Sequence, residues 1–171
     1  MRIIAGTWRG RRLAAPAGRA TRPTTDRARE AWMSIVQPSI AGARVLDLFA
    51  GSGALGLEAL SRGAAEATFV EDDPRAIAAL RKNVEALDAA DRVTVVRTDA
   101  VRYVQSLAAG AFDIAFADPP YDRGMATAVA DGWLAAAFAH ILGVEHSPRE
   151  PLPGTGDTRR YGDTAITFFR D

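Results

Sequence analysis

Asp118, Pro119, Pro120 and Tyr121 are four consecutive residues suited to holding an amino group on a flat ring. Asp118 offers a carboxylate acceptor, and Tyr121 offers a face on which a base can stack. The two prolines stiffen the turn and fix the directions of its carbonyls. An exocyclic amine is a poor nucleophile because its lone pair is delocalised into the ring. Hydrogen bonds from it to Asp118 and to the Pro119 carbonyl pull the nitrogen towards a tetrahedral shape and free that lone pair. An aspartate of ordinary pKa, about 3.9, need not take a proton beforehand, since it can stabilise the positive charge that develops on nitrogen. The base must be flipped out or single-stranded to reach such a site. The competing explanation is a Pro-Pro turn that merely ends a strand, and the sequence upstream argues against it.

Upstream, DLFAGSGALG (47–56) places Gly51, Gly53 and Gly56 in a G-x-G-x-x-G pattern, and Glu71 follows 20 residues after Gly51. The spacing alone fits a dinucleotide. Asp47 points elsewhere: a carboxylate is repelled by a pyrophosphate but attracted by a cationic ligand, and S-adenosylmethionine carries a sulfonium and an ammonium. The glycines keep their purpose, because a turn without side chains lets a ligand approach the backbone. Glu71 can accept from both ribose hydroxyls, and Asp99 is placed to meet an adenine amine. Ordinary loop capping is the alternative for both acids.

These residues need a scaffold that brings them together, and the apolar pattern supplies one. Short apolar runs at 43–49, 67–71, 93–96, 112–117 and 140–145 read as strands, several buried on both faces. Helical segments are expected from the glycine turn to Leu60, at 74–87, near 100–108 and near 124–137. Strands alternating with helices predict an α/β, doubly wound, Rossmann-like sheet, mostly parallel. Segments 159–162 and 164–169 predict an antiparallel C-terminal hairpin. The run 147–158 is rich in Pro and Gly and reads as a loop. In such a sheet the ends of the first and fourth strands flank the ligand crevice, so the glycine loop and Asp118 should converge. Before the sheet, 2–5 and 11–14 predict a small β-hairpin. A helix capped by Thr24 or Thr25 should run to about Val36, stop before Pro38, and bury Ala28, Trp32, Ile35 and Val36. The chain thus divides into a basic hairpin-and-helix extension at 1–38 and a methyltransferase domain at 39–171.

Composition narrows the chemistry. The 171 residues include no cysteine, which excludes a disulfide scaffold, a cysteine zinc site and a cysteine nucleophile. With His140 and His146 as the only histidines, a histidine metal site is not expected. No apolar run approaches the roughly 20 residues of a membrane span, and arginines interrupt any leader-like start, so the expected compartment is the cytoplasm. The net charge of zero hides a division. Residues 1–36 hold eight arginines against Asp26 and Glu30, a surplus of six positive charges, and the remainder carries the opposite surplus. Arg9, Arg11, Arg12, Arg19 and Arg22 can contact phosphates, and Trp8 can stack. The alternative is a solvated basic hairpin with Trp8 buried beneath it.

RIIAGTWRGRRL (2–13), RPTTDRAREAW (22–32), DLFAGSGALGLEALSRGA (47–64), FVE (69–71), DPPY (118–121) and RRYGDTAITFFR (159–170) resemble the bacterial RsmD family from one end of the chain to the other. The resemblance implies an S-adenosylmethionine-dependent methyltransferase acting on the N2 amine of a guanine in 16S ribosomal RNA. It implies S-adenosylhomocysteine as product, and 16S rRNA or a small-subunit assembly particle as partner of a monomer. By the same resemblance Gly51 and Gly53 line the methionine part of the cofactor, with Asp47 near its amino group. Glu71 then holds the ribose, and Asp99 the adenine. Asp118, Pro119 and Tyr121 hold the guanine, and Arg22, Thr24 and Arg29 lie at the mouth. Asp72-Asp73 departs from the more basic pair often found after that glutamate. Three other functions share parts of this pattern: an adenine-N6 methyltransferase of DNA, a nucleotide-dependent oxidoreductase and a non-catalytic RNA-binding assembly factor.

Overall fold

A computed structural model describes residues 1–17 and 26–171. Among the described residues seven strands form one sheet: β1 (Arg44–Leu48), β2 (Glu66–Glu71), β3 (Val93–Arg97), β4 (Phe112–Ala117), β5 (Ala139–His146), β6 (Asp157–Tyr161) and β7 (Thr164–Arg170). Their order is β3-β2-β1-β4-β5-β7-β6. The first five run parallel, and β7 lies antiparallel between β5 and β6. The helices are α1 (Asp26–Ile40), α2 (Ala54–Ser61), α3 (Pro74–Ala86), α4 (Ala100–Gln105) and α5 (Met125–Ala135). This is the expected doubly wound sheet. Alternation along β1 and β4 splits the core in two. Val45, Ile114 and Phe116 pack with Trp32, Leu57 and Leu80 on one face, while Leu46, Leu48 and Ala115 pack with Val104, Val129 and Trp133 on the other. The chain winds outward from β1 through β2 to β3, then returns to β4 on the opposite side. Strand order therefore reverses between β1 and β4, and the crevice opens at their carboxyl ends.

Two local expectations are corrected. Thr24 and Thr25 lie outside the described residues, so the predicted cap does too, but the end of α1 is clear. The helix runs through Pro38 to Ile40 instead of stopping near Val36. Ala28, Trp32, Val36 and Ile40 form an i, i+4 stripe that is buried throughout, and burial of Ile40 outweighs the backbone bond that proline cannot make. Ile35 is only partly buried. Trp32 meets Phe116 of β4 edge-on, with ring centroids 5.8 Å apart, which fixes α1 across the sheet.

The predicted N-terminal hairpin is reduced to the single bridge Arg2–Arg12. The Ile3 amide still donates to Arg11 O and the Leu13 amide to Met1 O, both at 2.9 Å. The amides of Ile4 and Ala5 leave the ladder and donate to the two carboxylate oxygens of Glu58 on α2, at 2.8 and 3.1 Å. Glu58 is fully buried and also accepts from Arg62 Nε at 2.9 Å. A buried carboxylate needs donors, and charge-assisted bonds from two arm amides satisfy it at the expense of strand pairing.

Candidate active site

A crevice of about 690 Å³ opens at the carboxyl ends of β1, β2 and β4. It is large enough for a nucleoside-sized cofactor together with part of a substrate. Asp47, Gly51, Glu71, Asp99, Asp118 and Tyr121 all line it, so the two motifs meet as the topology requires. The loop after β1 turns through Gly51 (φ +57°) and Gly53 (φ +87°). A Cβ at Gly53 would lie 2.4 Å from Leu80 Cδ1, whereas one at Gly51 would enter open space. Gly53 thus lets the loop pack on α3, and Gly51 leaves a bare backbone facing the crevice.

The acids do structural work as well as lining the wall. Asp47, 2% exposed, accepts from the Gly56 amide at 2.9 Å and so anchors the first turn of α2. Burial pushes its carboxyl pKa well above the usual range; the Gly56 bond opposes this, and the nearby charges of Asp118 and Glu71 add to it. Glu71 accepts from the amides of Gly51 (2.8 Å), Asp72 (2.9 Å) and Asp73 (3.0 Å), clasping the glycine loop to the loop after β2. Asp99 caps α4 by accepting from the Arg102 amide at 2.8 Å, and it remains exposed at the crevice wall. Loop capping is therefore real for Glu71 and Asp99, but it leaves both beside the cavity. The lining suits a cation: the carboxyl groups of Asp47, Glu71, Asp72, Asp73, Asp99 and Asp118 share one crevice.

Asp118 and Pro119 follow directly after β4, with Asp118 half-buried and Pro119 buried. The Tyr121 hydroxyl is tied to Thr164 Oγ1, whose own hydroxyl donates to Glu145 Oε1 at 2.9 Å. It also lies 3.4 Å from that same oxygen. Thr164 and Glu145 are buried at facing ends of β7 and β5, so the two strands hold the ring from behind. Sequence reasoning missed both residues. The pair forms only because β7 inserts antiparallel beside β5; Glu145 has no local signature, and Thr164 lies in the 159–170 match without one that assigns it a role. Arg123, exposed at the crevice mouth, was missed as well.

The basic arm is less uniform than its composition implied. Trp8 is not an open stacking face: only 9% of it is exposed, it belongs to the core, and the Arg92 guanidinium covers its ring at 5.1 Å. Arg11 is exposed yet donates to Ala86 O at 2.7 Å, at the end of α3. Arg9 and Arg12 are exposed. Arg19 and Arg22 lie outside the described residues. Arg29, expected at the mouth, is instead fully buried; it donates to Arg2 O at 2.6 Å and to Asp26 at 2.8 Å, and faces Glu58 at 3.6 Å.

The family model described as conserved hypothetical protein 95 matches residues 1–170. Ribosomal RNA small subunit methyltransferase D of Escherichia coli K12 is 44% identical over 158 residues, spanning 90% of this chain and 78% of the relative. The chain belongs to the RsmD family. The solved structure of E. coli yhhF superposes on this RsmD-family fold with a TM-score of 0.85 at 37% identity, covering 99% of this chain and 97% of that one. The Thermus thermophilus 16S rRNA N2 guanine methyltransferase RsmC, in complex with AdoMet and guanosine, gives a TM-score of 0.69 at 27% identity. That match covers 90% of this chain and 44% of the RsmC chain. The RsmD-family chain is thus an enzyme of the methyltransferase class on a Rossmann-like fold. Among its described residues no helix is long and apolar enough to cross a membrane.

Proposed function

We propose that the enzyme transfers a methyl group from S-adenosylmethionine to the N2 amine of a guanine in 16S rRNA. The observation that carries this is the single crevice in which a glycine loop flanked by Asp47 and Glu71 meets Asp118-Pro119-Pro120-Tyr121. Six carboxyl groups around one cavity disfavour a pyrophosphate and favour a ligand with a sulfonium and an ammonium. When bound, S-adenosylmethionine supplies the methyl group and leaves as S-adenosylhomocysteine. Gly51 presents backbone to its methionine part while Gly53 shapes the turn behind it, Asp47 faces its ammonium, Glu71 its ribose and Asp99 its adenine. Asp118 and the Pro119 carbonyl accept from the guanine amine, which aims its lone pair at the methyl group and stabilises the charge that develops on nitrogen. Tyr121 stacks on the flipped base, its plane fixed by Thr164 and Glu145.

The support from relatives is of one kind. A family member is named for the small ribosomal subunit, and a structural neighbour holds AdoMet with guanosine. We assign residues 1–38 to an RNA-facing extension and 39–171 to methyl transfer, with the exposed Arg9 and Arg12, together with Arg22, contacting phosphates. The substrate is then either free 16S rRNA or an assembling small subunit, met by a cytoplasmic monomer. Incubating the protein with methyl-labelled S-adenosylmethionine and, in parallel, 16S rRNA, small-subunit particles and duplex DNA tests the assignment. Label at guanine N2 in an RNA sample is expected. Label in DNA adenine instead, or in none of the samples, would refute it.

Tyr121 gives a second expected result. Tyr121→Phe keeps the stacking face and loses the tether, so kcat/KM should fall about two- to tenfold, the scale of one hydrogen bond. Tyr121→Ala removes the face too and should cost about tenfold or more, the scale of one base–aromatic stack. Steady-state methylation of RNA by the two variants reads this ordering. Equal losses would show that the hydroxyl does not orient the ring.

A further inference from the structure

We infer that Asn83 is a positioning residue that couples the N-terminal arm to the cofactor loop, so that cofactor affinity and the order of the arm rise and fall together. The inference rests on the proposed binding of S-adenosylmethionine and extends it to regulation of the same site. Asn83 lies on α3 and is only 3% exposed. Its Oδ1 accepts from the Ala14 amide at 2.7 Å. Its Nδ2 donates to Ala14 O at 3.1 Å and to Ser52 O at 2.9 Å. Only one orientation of the amide satisfies all three contacts, since the flipped group would set its NH₂ against the Ala14 amide and its oxygen against two carbonyls. Ser52 stands between Gly51 and Gly53. One buried side chain thus joins the backbone of the arm to the backbone of the glycine loop.

The residues next to Ala14 make the junction consequential. Ala15 and Pro16 line the crevice, as does Met1, which is held to the arm through the Leu13 amide. The arm is therefore a wall of the cofactor site as well as a basic surface. Its other attachments run to the helices: Ile4 and Ala5 to Glu58, Thr7 and Trp8 to Ser61, and Arg11 to Ala86. Among these side chains Asn83 alone also holds the glycine loop. A ligand that orders the glycine loop also orders the arm, and by reciprocity whatever orders the arm tightens the ligand by the same factor.

Amide hydrogen exchange and calorimetry on the full chain, with S-adenosylhomocysteine as probe, test the coupling. Saturating probe should slow exchange of the Ala14 amide in the wild type by several-fold. In Asn83→Ala the probe should bind about tenfold more weakly, the scale of the lost hydrogen bonds. Asn83→Asp keeps the acceptor for the Ala14 amide but sets an oxygen against two carbonyls, and it should bind more weakly still. A merely structural asparagine would lower thermal stability and leave the probe's Kd and the exchange response untouched. The coupling is overturned if the probe binds the wild type without slowing Ala14, or if either variant binds it as tightly as wild type. Should a variant not fold, the wild-type exchange measurement decides alone. No binding to the wild type would instead remove the cofactor reading, and the coupling with it.

Discussion

Asp118→Ala should reduce methyl transfer about a thousandfold, roughly 4 kcal/mol, the scale of removing one preorganised electrostatic partner from a transition state. Cofactor affinity should change little. Asp118 follows β4, and the three bonds by which Glu71 clasps the glycine loop do not involve it, so they remain when it is removed. Removing it also takes away one of the negative charges that hold the Asp47 pKa up. Asp47 then ionises more readily, which offsets the lost attraction for a cation. Asp118→Asn keeps an acceptor for the amine but not the charge, and its rate should fall between alanine and wild type. Single-turnover methylation beside calorimetry with S-adenosylhomocysteine separates the two effects. If transfer survives in Asp118→Ala, the amine is oriented by some other group. If binding collapses with it, Asp118 belongs to the cofactor site.

The sheet was legible because its central strands are buried on both faces and read as unbroken apolar runs. FDIAFA at 112–117 coincides with β4. The site was legible for a related reason: strand-end acids in a parallel sheet have only one crevice to enter, so Asp47, Glu71 and Asp118 had to meet. The arm was not legible. The hairpin pattern at 2–5 and 11–14 is sound locally, but Glu58, more than 50 residues away, takes two of its amides. Trp8 among arginines reads alike whether it stacks on a base or under Arg92, and only packing distinguishes the two. Arg29 reads as one more positive charge of the arm until Glu58 and Asp26 are seen around it. Asn83 and Glu145 carry no motif at all, and Thr164 lies within the 159–170 match without a signature that assigns its role. Each matters through a contact across the sheet or between loops, and sequence spacing does not record such contacts.

Asp47→Asn should weaken cofactor binding and at the same time stabilise the ligand-free protein. Both effects have one cause. The carboxyl is buried, its pKa is held well above the usual carboxylate range by desolvation, and Asp118 and Glu71 raise it further. The folded state therefore keeps its proton to higher pH than the unfolded chain. Below the ordinary carboxylate pKa, Asp47 is protonated in both states and costs nothing. As pH rises, the unfolded chain ionises first, stability falls, and this contribution is lost through the raised folded-state pKa. Asparagine cannot ionise, and its Oδ1 can still accept from the Gly56 amide. Ligand-free Asp47→Asn should thus match the wild type at acid pH and melt above it as pH increases. A cation in the crevice reverses the balance: it favours the carboxylate, so binding releases any proton that Asp47 holds and weakens as pH falls. Truncating a buried charge partner costs about 2 kcal/mol or more, so the variant's Kd should rise at least about thirtyfold. Thermal melts across pH without ligand, and calorimetry in two buffers of different ionisation enthalpy, read both halves. Equal melting curves would show that folding does not raise the Asp47 pKa. An unchanged Kd would place the cofactor's positive charge away from it.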